Sequence, residues 1–205
     1  MALATYTDLV SAVGTWMRRS GNATFTALVP DFITLFEADL NRMLRTRDQE
    51  TAATITMTSG VGTLPADWLE FEVVRWDGAD PTVLTPKPMA ALVAMYPDTE
   101  TGYPMHYFTR GSLIEVRPLS DEDLVTVYYA KVPALTAGSP TNWLMTKAPD
   151  AYLYGCIAEA NAYIEELDKA VLWKQRGMKV LDDLDLLDRA RYGGGTIEAV
   201  GTPTP

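Results

Sequence analysis

The chain has 205 residues, of which 47% are hydrophobic, 10% aromatic and 21% charged, with a formal net charge of -10. That is the size of one large domain, or of a domain carrying an insertion, able to bury a core without a metal or disulfide staple. The acidic balance excludes a DNA-grasping surface, which needs clustered Lys and Arg, and adhesion to an anionic membrane. A lone cysteine, Cys156, excludes an internal disulfide. No run approaches the about 20 apolar residues of a membrane-spanning helix. The opening MALATYTDLV lacks the basic and long apolar regions of a signal peptide, so the expectation is a protein made in a cytoplasm.

In chain order, TDLVSAVGTWMRRSG predicts a helix with Thr7 as N-cap, Asp8 in the first turn and Arg18 and Arg19 in the last. Leu9, Val13, Trp16 and Met17 share its apolar face, and Gly21 ends it. A second helix is predicted from Pro30, where a missing N–H costs nothing, with Phe32, Phe36, Leu40, Met43 and Leu44 as its stripe. The period then changes to two. Thr51–Thr63, Leu69–Trp76, Thr82–Pro86 and Leu124–Val132 read as strands, and HYFTRGSLIEVRPL reads as a tight hairpin about Gly111-Ser112. Pro88 to Met95 suggests a turn or two of helix. Helices return at Pro149, with Tyr152, Leu153, Cys156, Ile157, Ala160 and Ile164 on the buried side. Gly155, Ala158 and Ala162 form a small-residue strip that admits another backbone. The last helix, Lys169 to about Arg191, spaces Trp173, Gly177, Val180, Leu184 and Leu187 by fours and threes, as in a helix packed nearly parallel to another.

The predicted fold is therefore α+β. Residues 1–49 and 141–192 form a helical bundle of two N-terminal and two C-terminal helices, residues 50–140 an inserted antiparallel β-domain, and residues 193–205 an extended C-terminal tail.

Catalysis needs converging nucleophile, base and oxyanion groups. The single histidine, His106, has no Cys, Ser or Glu at motif spacing, and Cys156 lies on an apolar helix face, where a thiol is a small hydrophobe. Asp182, Asp183, Asp185 and Asp188 lack the glycine and closing Glu of a calcium loop and read as a solvated helix face. No enzyme, cofactor or metal site is expected. Arg42, Arg45 and Arg47 cluster at the end of the second helix. Three readings stand: cations stabilising a helix C-terminus and pairing locally with Glu37 or Asp39, arginine forks for an acidic neighbour, or, against the acidic balance of the rest, a nucleic-acid contact. The β-domain also admits a tail-associated binding module for a host glycan or peptide, with Trp68 and Trp76 on one strand face, or a hydrolase using Glu70 and Glu72.

The segments YTDLVSAVGTWMRRSG, VPDFITLFEADLNRMLRTRD, LPADWLEFEVVRW and TNWLMTKAPDAYLYGCIAEANAYIEELDKAVLWKQR follow one another across most of residues 6–190. Together they resemble the head-to-tail adaptor (connector) proteins of short-tailed bacteriophages. The resemblance implies a structural virion protein of the neck and tail, assembled in the host cytoplasm. Such a protein forms a homododecameric ring that joins the portal to the tail tube or nozzle, and the genome is ejected through its channel without specific binding. The resemblance further implies a C-terminal segment that fastens to the portal, here Gly193, Gly194 and Gly195 as a hinge, Ile197 and Val200 as apolar anchors, and Pro203 and Pro205 at the extended end. Arg42, Arg45 and Arg47 join this segment as expected portal or neighbour contacts. An acidic channel wall would let DNA slide, because it repels phosphate.

Overall fold

The computed structural model describes residues 3–97 and 100–192. The fold is α+β, and the described residues divide into two compact units: Arg47–Lys131, and residues 3–46 together with 132–192.

The helical unit contains α1 (Tyr6–Trp16), α2 (Ala23–Met43), α4 (Trp143–Lys147), α5 (Pro149–Tyr163) and α6 (Leu167–Tyr192). α1 starts earlier than Thr7 predicts. Thr5 is the N-cap and forms a capping box with Asp8: the Asp8 N–H donates to the Thr5 hydroxyl, and the Asp8 carboxylate accepts from the Thr5 N–H at 3.0 Å. Arg18 and Arg19 lie past the helix end. α2 is longer than predicted, and Pro30 does not open it. Asn22 caps it by accepting the Phe25 N–H at 3.0 Å, and Pro30 sits inside. A helix bears a proline there because only one ladder bond is lost, while Phe25 and Val29, both buried before Pro30, add core contacts.

α5 is buried on nearly all sides, a wider face than the predicted stripe, with Pro149 at its start as expected. It is the axis of this unit. Leu9 and Val13 of α1, Phe32, Ile33, Phe36 and Leu40 of α2 and Leu181 of α6 share one core cluster with Tyr152, Cys156 and Ile157. Three stripe residues are exposed instead of buried, Trp16 at the end of α1, Met43 at the end of α2 and Leu187 in the last turns of α6. The short α4, capped by Asn142 through the Met145 N–H at 2.7 Å, has no counterpart among the predicted helices. Five residues are too few for a readable period.

The segment returning into this unit is fixed by two side-chain acceptors on α2, Asn41 half-buried and Glu37 buried. Asn41 Oδ1 takes the Val132 N–H at 2.9 Å and Glu37 Oε1 takes the Leu135 N–H at 2.8 Å, with Val132 and Leu135 in the helical core.

The second unit opens with a 3-10 turn, Arg47–Gln49, and carries β1 (Glu50–Ile55), β2 (Met57–Thr58), β3 (Val61–Thr63), β4 (Trp68–Trp76), β5 (Thr82–Val83), β6 (Thr85–Pro86), α3 (Met89–Met95), β7 (His106–Arg110), β8 (Leu113–Arg117) and β9 (Leu124–Ala130). Two sheets form, ordered β1-β9-β4-β5 and β2-β3-β8-β7-β6. The sequence predicts an antiparallel domain, and all strand pairs but one are antiparallel. The exception is β6, which runs parallel to β7 and pairs Thr85 with His106. The chain between them passes through α3, and such a crossover permits parallel pairing. Both tight turns follow backbone chemistry. Ser59 and Gly60 take φ values of 51° and 74°, and Gly111 takes 61°, in two-residue loops between paired strands. Ile55, Met57, Val74, Trp76, Ile114, Val116 and Leu124 fill the core of this unit. Register shifts within β4 break its period, so Trp68 and Phe71 turn toward that core along with Trp76.

Candidate functional site

Within neither unit do the described groups with catalytic potential converge. His106 is half-buried at the start of β7, with its Nδ1 at 3.1 Å from the Tyr96 hydroxyl. Cys156 is fully buried in the helical core, and burial, with the Glu37 charge next, pushes its thiol far above the ordinary range. Glu70 and Glu72 lie exposed on β4, and Asp182 and Asp183 lie exposed on α6. Asp185 pairs with Arg189 at 2.7 Å. Among the described residues no group of three or more His, Cys, Asp or Glu is placed to hold a metal ion, and no helix is long and apolar enough to cross a membrane.

Of the two predicted tryptophans, Trp76 is buried in the core of the second unit and presents no face to a ligand. Trp68 is half-buried beside a groove of about 630 Å³ lined by Phe71, Pro86, Pro88, Met89 and Tyr107, with Lys87 and Arg110 on its rim.

The three arginines do not share one helix face. α2 ends at Met43 because Leu44 adopts an extended conformation and is buried, which turns the chain out of the helix. Arg42, in the last turn, pairs with Asp39, which also receives Lys174 of α6 at 3.0 Å. Burial pushes the Asp39 carboxyl up, but hydrogen bonds and charge from Lys174 and Arg42 outweigh it, and its pKa lies below the usual aspartate value. Arg45 donates to the Leu44 carbonyl at 2.7 Å and to the Asn41 carbonyl at 3.1 Å, closing the helix C-terminus. It also lines a polar groove of about 200 Å³ with Asp182, Asp185 and Arg189 of α6. Arg47 lies in the 3-10 turn of the other unit. The tail positions Gly193, Gly194, Gly195, Ile197, Val200, Pro203 and Pro205 lie outside the described residues.

Glu37, expected to pair locally with an arginine, is instead a buried group of the helical core. Its carboxylate accepts from the Leu135 N–H and from the Tyr152 hydroxyl at 3.0 Å, and Asn142 Nδ2 donates to that hydroxyl at 2.6 Å and to the Pro133 carbonyl at 2.7 Å. The signal for its burial is in the spacing: Glu37 lies four residues after Ile33 and three before Leu40, both buried. Burial raises the Glu37 pKa, against the two hydrogen bonds. A carboxyl raised in the fold contributes full stability below its unfolded value, loses it as pH rises through the folded value, and is flat above. Urea midpoints of wild type minus Glu37→Gln are therefore expected to fall with rising pH just above the ordinary glutamate range and then level. Equal pH profiles for the two proteins would contradict the buried assignment. Tyr152 and Cys156, both shifted upward by burial, do not titrate in that window.

The described residues form a helical body and a two-sheet insertion with charged side chains exposed on both. A sequence profile for the SU10 adaptor protein matches residues 4–199, nearly the whole chain. The chain belongs to the SU10 adaptor protein family and is a bacteriophage structural adaptor. No curated protein matches it.

Proposed function

We propose that the protein is the head-to-tail adaptor of a phage neck, a ring of twelve copies joining the portal to the tail tube or nozzle around a channel for the genome. The family match over residues 4–199 carries this reading. The acidic balance supports a channel that DNA traverses without being held, since like charge repels phosphate. The ring is built in the host cytoplasm and resides in the virion neck. Residues 193–205 fasten it to the portal: three glycines give a hinge, Ile197 and Val200 anchor, and the Thr-Pro end stays extended. Arg42 supports the same docking, since its guanidinium is two-thirds exposed beside the Asp39 contact, and Arg45 and Arg47 follow it in sequence.

Deleting residues 193–205 is expected to leave the circular dichroism of the protein unchanged and to abolish its co-sedimentation with portal rings. Undiminished co-sedimentation of the truncated chain would overturn the docking role. Particle averages of the assembled neck give the copy number.

A further inference from the structure

In the helical unit α6 packs on α5 and touches α1 at Trp16–Trp173 on one flank and α2 at Asp39–Lys174 on the other, and both flanks leave large apolar side chains in solvent. On the α1 flank Trp16 is 51% exposed although it meets Trp173 edge-on at 5.5 Å and Tyr154 at 6.4 Å. Arg176 lies over the Trp173 ring at 4.8 Å, and Leu172, one turn before it, is exposed. Exposed Trp with stacked Arg is the side-chain chemistry that concentrates binding energy at protein interfaces. On the α2 flank Lys174 of α6 pairs with Asp39 of α2. Leu35 and Met43 of α2, with Leu167 and Val171 of α6, are all exposed there. Val171, at 56% exposure, and Trp173 stand about 200° apart around the helix, so the flanks face different ways.

Charge distinguishes the flanks. Arg18 and Arg176 on the first have no ion-pair partner among the described residues, in a chain of net charge -10. On the second, Asp31 lies one turn before Leu35, Asp182 one turn after Met178, and Glu159 beside the Asp39–Lys174 pair. None of the three has a cation partner among the described residues, against one unpaired cation there, Lys179, so negative charge is in excess. One flank offers aromatic surface with spare positive charge, the other aliphatic surface with spare negative charge.

We infer that the two flanks are halves of one contact between copies of this chain, with the Trp16–Arg176 face of one copy seated on the α2–α6 groove of the next. Because the patches differ, the contact is heterologous, and repeated around an axis it closes a ring. This inference rests on the ring reading above and adds which surfaces make the ring.

The test uses two full-length variants, Trp16→Ala/Arg176→Glu and Leu35→Glu/Val171→Glu, each with one flank ruined and the other intact. Wild type is expected to form closed multimers, alone or on portal rings, and each variant alone to stay monomeric. An equimolar mixture of the two is expected to stop at 1:1 dimers, joined through the one pair of intact flanks. The single changes Arg176→Glu and Val171→Glu, on exposed side chains, repeat the loss of assembly in protein whose thermal melts match wild type. Rings formed by either variant alone, or a mixture without dimers at high concentration, would overturn the assignment of these flanks while leaving the ring reading standing. A wild-type chain that stays monomeric with and without portal would overturn both.

Discussion

Tyr152→Ala is expected to destabilise the helical unit by about 3–5 kcal/mol, the range for removing a large buried aromatic side chain. Tyr152 is fully buried on α5, packs edge-on against Phe36 at 5.5 Å and stands between Asn142 and Glu37. The substitution therefore opens a cavity and removes the hydroxyl that Glu37 needs. Tyr152→Phe separates the two effects, since it keeps the ring and deletes the hydroxyl. It leaves a buried carboxylate short of one donor and is expected to cost about 1–3 kcal/mol. Urea unfolding followed by circular dichroism, with amide exchange along α5, measures both. A Tyr152→Phe protein as stable as wild type would mean that the hydroxyl does not serve the Glu37 carboxylate.

Gly155→Ala and Gly177→Ala are expected to change stability in opposite directions, although both glycines lie in helix interiors at the α5–α6 packing. A methyl at Gly155 would overlap the Phe36 ring, which is held in the core between α2 and α5. Overpacking of that kind costs about 1–3 kcal/mol, against about 1 kcal/mol of helix propensity gained, so a net loss of up to about 2 kcal/mol is expected. A methyl at Gly177 meets its nearest neighbours, the Gly155 nitrogen and the Tyr154 Cβ, at 3.6 Å, an ordinary contact. There the propensity gain stands nearly alone, and Gly177→Ala is expected to stabilise by up to about 1 kcal/mol. Thermal melts of the two single variants decide it. A stabilised Gly155→Ala would show that Phe36 has room to move.

The same two glycines show how far the sequence reading reaches. The small strip on α5 is legible as a place where another helix comes close, and Gly155 and Ala158 are buried there. Ala162, read onto the strip, is exposed near the helix end. Which glycine tolerates a methyl depends on where the Phe36 ring lies, and that is decided by a helix more than a hundred residues away. Of the candidate interaction residues, Arg42, Arg45 and Arg47 are visible as a run of charge, but their separation is not. It follows from the extended turn at Leu44, and Leu44 leaves the helix because burial there rewards it. The Trp16–Arg176 face was not legible because its two halves come from opposite ends of the chain, and Trp16 at helical spacing reads as core.

By itself the sequence determines what short-range physics determines. The periods of 3.6 and 2 separate helices from strands, and Gly111-Ser112 marks a tight turn by the backbone angle the glycine tolerates. Pro149 marks a helix start, and the order of segments carries the adaptor resemblance that the family match bears out. Tertiary structure decides what depends on partners distant in the chain. A proline lies inside α2 because burial before it outweighs one lost hydrogen bond. Glu37 is drawn into the core because Tyr152 and the Leu135 amide satisfy it, and β6 pairs parallel because α3 provides the crossover. A residue's period fixes which way it faces; only the assembled neighbours decide what it meets there.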